Sequence, residues 1–138
     1  MVNLGITGRL LIVNDDETTL EKLECMIKEE GIETTLSNVT SAFDKITYSI
    51  QNDIPYHAVL HGSNVSPLSG KKLVEKLRNT KVDGQTPFIF IMDKMDAGLY
   101  SEMCEVKPHA ILPPMYTQDY AKKKVESAIE KGIKLYKK

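Results

Sequence analysis

The chain has 138 residues, 41% of them hydrophobic, and a formal net charge of −1. That length suits one domain with a real core, and the charge supplies no bulk field toward nucleic acid or a membrane surface. Its longest apolar runs are a few residues, far below the ~20 that a membrane span needs.

Short apolar runs alternate with longer amphipathic ones. Leu10 to Val13 is continuously apolar and predicts a buried strand. Asp16 to Glu30 predicts a helix with Leu20, Leu23 and Ile27 on one face, ended by Gly31. Ile32 to Leu36 reads as a second strand, with Thr34 and Thr35 suited to β geometry. Ser41 to Ile50 predicts a helix turning Ala42, Phe43, Ile46 and Ile50 inward. His57 to His61 is the third expected strand. Ser69 to Asn79 follows as a helix with Leu73, Val74 and Leu77 toward the core. Pro87 to Met92 is the most apolar segment and the fourth strand. Asp96 to Glu105 predicts a short helix, and Ala110 to Leu112 a short fifth strand. Thr117 to Tyr136 predicts the last helix, with Ala121, Val125, Ala128, Ile129 and Ile133 on one stripe.

Strand and helix repeated in this way predict an α/β fold, a parallel sheet with helices on both faces. Residues 1–138 read as a single domain with a core over about 9–136, without linker, repeat or low-complexity segment. Met1 to Arg9 carries no charged stretch followed by a long apolar one, so no signal peptide is expected. Cys25 and Cys104 fall on separate expected helices, which suits a reducing cytosol better than a disulfide. The lysine-rich end, Lys131 to Lys138, reads as the solvated face of the last helix rather than a nucleic-acid site.

Functional groups in such a sheet gather at the carboxyl ends of the strands. Here these are Asn14, Asp15 and Asp16, then Gly62 to Asn64, then Met92 and Asp93, and Pro113. The run Leu11-Ile12-Val13-Asn14-Asp15-Asp16-Glu17 belongs with the loop Ser63-Asn64-Val65-Ser66-Pro67-Leu68-Ser69-Gly70. With Thr86-Pro87 before the fourth strand and Pro114 after the fifth, this pattern resembles the receiver domain of two-component response regulators over nearly the whole chain. The resemblance implies a five-stranded parallel sheet of order 2-1-3-4-5, the flavodoxin-like sandwich.

It also implies which positions would carry phosphoryl transfer, and most have changed type. The aspartate nucleophile of the family aligns with Gly62, which has no side chain. The first of the family's two metal-positioning acids is Asn14, and the second is Asp15. A register built on Asp16 would restore an acidic pair only by shifting the strand alternation by one residue. Asn64 keeps the position whose backbone carbonyl ligates the metal. The hydroxyl residue is Met92, the lysine is Pro113, and the aromatic that swings on activation is Ala110. Pro114 matches a proline that often follows a cis peptide bond in the family. Losing the hydroxyl and lysine equivalents would each remove about 3 kcal/mol of electrostatic stabilisation.

Plainer readings stand beside these. Asp16 suits a helix cap, with Asp15 a leftover rim acid, against a weak Mg²⁺ site made with Asn64. His61 neighbours Gly62 but should face a helix, because adjacent strand residues point to opposite faces. Ser63 has no visible base, and Asp93 suits a turn. Met92, Met95, Met103 and Met115 read as gap fillers in core and rim. Tyr100, Ala110 and Tyr116 flank the face of the fourth helix, fifth strand and fifth helix, which receivers often use for partners.

The expected function is therefore a degenerate, cytoplasmic receiver-like module of a two-component pathway. It would not be an enzyme, would need no cofactor, and would act through protein contact with a histidine kinase, an output domain or a second copy. The alternatives are a receiver phosphorylated at an unconventional residue, Asp93 or Asp15, and a module holding a small molecule in the vacated pocket. No Gly-rich phosphate loop, metal-ligand histidine pair or nucleophile elbow points to other catalysis.

Overall fold

The apolar run Leu10–Val13 is the centre of β1 (Gly8–Val13), and every residue of that run is fully buried. Such a strand needs neighbours on both edges and layers on both faces. In the computed structural model, which describes residues 8–28, 31–62, 67–79, 86–92, 94 and 96–136, it has them. β2 (Ile32–Ser37) pairs with one edge of β1 and β3 (Ala58–His61) with the other, both in parallel. β4 (Phe88–Ile91) and β5 (Ala110–Leu112) continue the sheet in the order β2-β1-β3-β4-β5.

Period-two alternation divides the core in two. Leu10, Ile12, Ala58, Leu60, Ile89, Ile91 and Leu112 face α1 (Glu17–Ile27) and α5 (Gln118–Tyr136). Leu11, Val13, Val59, Phe88 and Phe90 face α2 (Val39–Gln51), α3 (Pro67–Arg78) and α4 (Ala97–Cys104). This is the flavodoxin-like sandwich that the receiver resemblance implied. α5 lies so close to the start of β3 that a Cβ on Gly132 would overlap the His57 carbonyl.

Boundaries move where capping overrides periodicity. α1 stops at Ile27 rather than running to Glu30, because Lys28 leaves the helix with ψ 128°. Gly31 does not cap it but sits in the turn before β2 at φ +91°, a conformation only glycine adopts cheaply. α2 starts at Val39, ahead of Ser41, because Asn38 accepts a hydrogen bond from the Ser41 N–H. α3 begins at Pro67, a residue favoured at a first helical position. β3 begins at Ala58; the His57 N–H still bonds the Arg9 carbonyl at 2.7 Å. None of the described peptide bonds is cis, so the Pro113–Pro114 bond departs from the family expectation. The trans form is the intrinsically favoured one by about 0.5–1 kcal/mol.

Candidate functional site

β1 and β3 place Asn14 and Gly62 side by side just past their last ladder residues. The Asn14 N–H bonds the Ser37 carbonyl at 3.0 Å, and the Gly62 N–H bonds the Val13 carbonyl at 2.8 Å. Asn14 is fully buried, and its Oδ1 accepts from the Asp16 N–H at 2.8 Å. A β-carbon on Gly62 would stand 2.7 Å from Asn14 Nδ2 and 3.0 Å from Leu23 Cδ1 of α1. The space that a side chain would need at position 62 is therefore occupied by the ends of two neighbouring side chains.

Met92 is not what fills it. It is 3% exposed and packs with Phe88, Phe90 and Met103 toward the α2–α4 layer. Asn14 and Leu23 stand on the opposite layer. Alternation along β4 sends Met92 to the same side as Phe90. Met92 and Met103 are core residues, as expected, but Met115 is 98% exposed and is no gap filler. It lies two residues after the exposed Pro113 and sits at φ +65°. Asn64, Ser63, Asp93 and Met95, which the sequence singles out, lie outside the described residues.

Asp15 and Asp16 are both engaged with helix ends. The Asp16 carboxylate accepts from the Thr19 N–H at 3.0 Å and from the Thr19 hydroxyl at 2.5 Å, capping α1. Those bonds, hydroxyl first, hold its carboxyl below the usual range. Asp15 is more than a leftover rim acid: its Oδ1 accepts from the Val39 N–H at 2.9 Å, at the start of α2. Each of the two acids thus satisfies an orphan amide of a different helix. Among the described residues, no three His, Cys, Asp or Glu side chains gather as a metal ion would require. One oxygen each of Asn14, Asp15 and Asp16 accepts a hydrogen bond from a rim amide.

His61 ends β3 and faces α3, as alternation predicts. It is 3% exposed, its Nε2 lies 3.1 Å from Ser69 Oγ, and its ring meets Phe90 edge-on at 5.9 Å. Burial pushes its pKa down to about 4, outweighing the opposite pull of Asp15. The ring is a neutral packing element that ties α3 to the sheet. Gly70 allows this approach, since a β-carbon there would stand 3.1 Å from His61 Nδ1.

The residues expected at a partner face lie on both sides of the edge strand β5. Tyr100 on α4 is 46% exposed. Ala110 and Tyr116 are half-buried against the cluster of α1 and α5, on the other layer from α4. The sequence reading missed Tyr120 and Leu135, exposed apolar residues of α5. Reading α5 by charge as well as by hydrophobicity would have found them. Among the described residues, no helix is long and apolar enough to cross a membrane. Cys25 and Cys104 are both exposed free thiols.

No family model matches the chain, and no curated protein matches it. Solved structures do match. A CheY-like response regulator receiver domain protein from Methanospirillum hungatei JF-1 is 17% identical, with 94% of this chain and 98% of that one covered and a TM-score of 0.72. The signal receiver domain of the NarL response regulator from Mycobacterium tuberculosis is 11% identical, covering 91% and 98%, with a TM-score of 0.74. The chemotaxis response regulator CheY4 of Vibrio cholerae is 14% identical, covering 88% and 98%, with a TM-score of 0.70. The protein has the CheY-like receiver fold. At these identities the likeness carries the architecture, and the chemistry must be argued from this chain's own residues.

Proposed function

We propose that this chain is a receiver-fold signalling module that works without aspartyl phosphorylation and transmits its signal through protein contact. One observation carries the reading: the place of a nucleophile side chain at Gly62 is taken by Asn14 Nδ2 and Leu23 Cδ1. Phosphoryl transfer to this fold needs a carboxylate there, with cation and donor groups around it. Gly62, Met92 and Pro113 supply none of these side-chain functions. Asn14 cannot contribute the negative charge that a carboxylate brings to Mg²⁺. The module is not an enzyme in this reading, needs no metal, and has a histidine kinase or an output domain as its partner in the cytoplasm. Any switch it makes must come from a partner that binds two conformations unequally.

Intact mass after incubation with Mg²⁺ and acetyl phosphate tests this, with an active receiver run alongside. The expected result is no added phosphoryl mass. A stoichiometric adduct, mapped to Asp15, Asp93 or any other residue, overturns the proposal.

A further inference from the structure

β2 is an edge strand, and one row of its backbone groups faces away from the sheet. The Gly31 and Ser37 carbonyls accept from the Gly8 and Asn14 N–H groups on the β1 side. In a parallel ladder both backbone groups of a residue point the same way, and the direction alternates along the strand. Glu33 and Thr35 therefore point at β1, whereas Ile32, Thr34 and Leu36 point outward. Among the described residues no strand lies beyond them. The Lys45 ammonium of α2 reaches this row at the Leu36 carbonyl, 3.5 Å away.

Edges are commonly guarded by proline, lysine or a bulge. The run Ile32-Glu33-Thr34-Thr35-Leu36-Ser37 has no proline or lysine, and its register with β1 is unbroken from Ile32 to Ser37. Ile32 and Leu36 are half-buried on the side of α1 and α5. Glu33 and Thr35 lie on the α2 side, in register with Arg9 and Leu11. Lys45 is half-buried and has no carboxylate partner among the described residues, whose ion pairs are made by Arg9 and Lys71. The Glu33 side chain pairs with Arg9 yet stays 60% exposed.

We propose that β2 pairs antiparallel with β2 of a second copy of this chain, about a two-fold axis at Thr34, joining the two sheets into one. The strand is self-complementary in that register. Thr34 meets the second copy's Thr34 and Ile32 meets its Leu36, so each outward residue both donates and accepts a backbone hydrogen bond. The Ile32–Leu36 pairs cover apolar surface on the α1 side, and such cross-strand pairs stabilise a sheet. On the α2 side Glu33 meets the second copy's Thr35, one residue from the carbonyl where that copy holds Lys45. Acid and cation thus face each other twice across one axis, which selects a second copy over an unrelated strand. A slip of two residues one way sets Glu33 against Glu33. The same slip the other way sets Ile32 against Asn38, beyond the strand. Pairing on this edge needs no phosphoryl group and lies at the opposite end of the sheet from β5.

Sedimentation of the full chain from micromolar to millimolar concentration tests this and should show reversible dimers. Amide exchange at Ile32, Thr34 and Leu36 should slow about tenfold or more in the dimer, while Glu33 and Thr35, already turned to β1, should not change. Thr34→Pro removes the central outward donor, at an edge position where proline is tolerated, and should abolish the dimer. Lys45→Glu should raise the dimer Kd about tenfold, and adding Glu33→Lys should recover most of that loss. Register is read by crosslinking with oxidised glutathione in a Cys25→Ser, Cys104→Ser background. Thr34→Cys should form a disulfide dimer, since facing hydrogen-bonded residues stand about 5.5 Å apart at Cα. Leu36→Cys should not, its two copies lying about 14 Å apart. A chain still monomeric at millimolar concentration overturns the proposal. So does a dimer that either Thr34→Pro or Lys45→Glu leaves unchanged, or one in which Leu36→Cys crosslinks as fast as Thr34→Cys.

Discussion

Asn14 and Gly62 share one space: the Asn14 amide nitrogen lies 2.7 Å from where a β-carbon on Gly62 would stand. Asn14 is fully buried and held by its bond to the Asp16 N–H, so it cannot swing aside cheaply. Glycine at position 62 is thus a packing requirement. Gly62→Ala should destabilise by about 1–3 kcal/mol, the usual cost of overpacking. Gly62→Asp should cost at least as much, because it also brings a carboxylate into a filled site. Thermal melts should show both losses, and the Asp variant should gain no phosphoryl mass from acetyl phosphate. A Gly62→Asp protein of unchanged melting temperature would show that the space is open.

Gly132 sets the distance between α5 and β3. In an open helix, Gly→Ala gains about 1 kcal/mol. Here the added β-carbon would overlap the His57 carbonyl and stand 2.7 Å from the His57 Cα, both backbone atoms that cannot rotate away. Gly132→Ala should therefore destabilise by about 3 kcal/mol or more. Urea unfolding would check this, and a stabilised variant would contradict the packing described for α5.

His61 predicts a pH dependence. Its folded pKa of about 4 lies below the ordinary 6.5. Between those values the unfolded chain holds a proton that the folded chain does not, so stability rises with pH across this window and is lost as pH falls through it. The full effect is about 3 kcal/mol. His57 and His109 are shifted in the same direction, by burial first, and add to the slope. Asp16, whose pKa is lowered, acts lower on the scale: its contribution is lost as pH falls below 3.8. Urea unfolding at pH 7 and pH 5 should show a smaller difference for His61→Gln than for the parent chain. An equal difference would mean that His61 does not carry the slope.

Asp15 spends a carboxylate oxygen on the Val39 N–H at the start of α2. Asp15→Ala should cost about 1 kcal/mol through that lost bond. If Asp15 acts only as a cap, the loss should be the same with and without millimolar Mg²⁺. A Mg²⁺-dependent rise in melting temperature of the parent chain, abolished by Asp15→Ala, would restore the metal reading.

Much of this architecture was legible beforehand because periodicity is a local property. Leu10–Val13 and Phe88–Ile91 read as buried strands from their continuous apolar character, and both are buried on both faces. The stripe Ala121, Val125, Ala128 and Ile129 named the buried side of α5. Alternation also sent His61 toward α3. Helix ends were less legible, since Asn38 and Lys28 act through hydrogen bonds and dihedrals that apolar spacing does not record.

By itself, then, the sequence determined the order and facing of the elements and the identity of the rim residues. Only the tertiary structure decided what those rim residues touch. It brought Asn14 from β1 and Leu23 from α1 into the space beside Gly62. It turned Met92 toward the other layer, joined Asp15 to α2, and set His109 against Ser127 of α5. The reason is physical: side-chain facing follows the local repeat of the backbone, whereas a contact between distant residues depends on register and packing between elements, which no local pattern encodes.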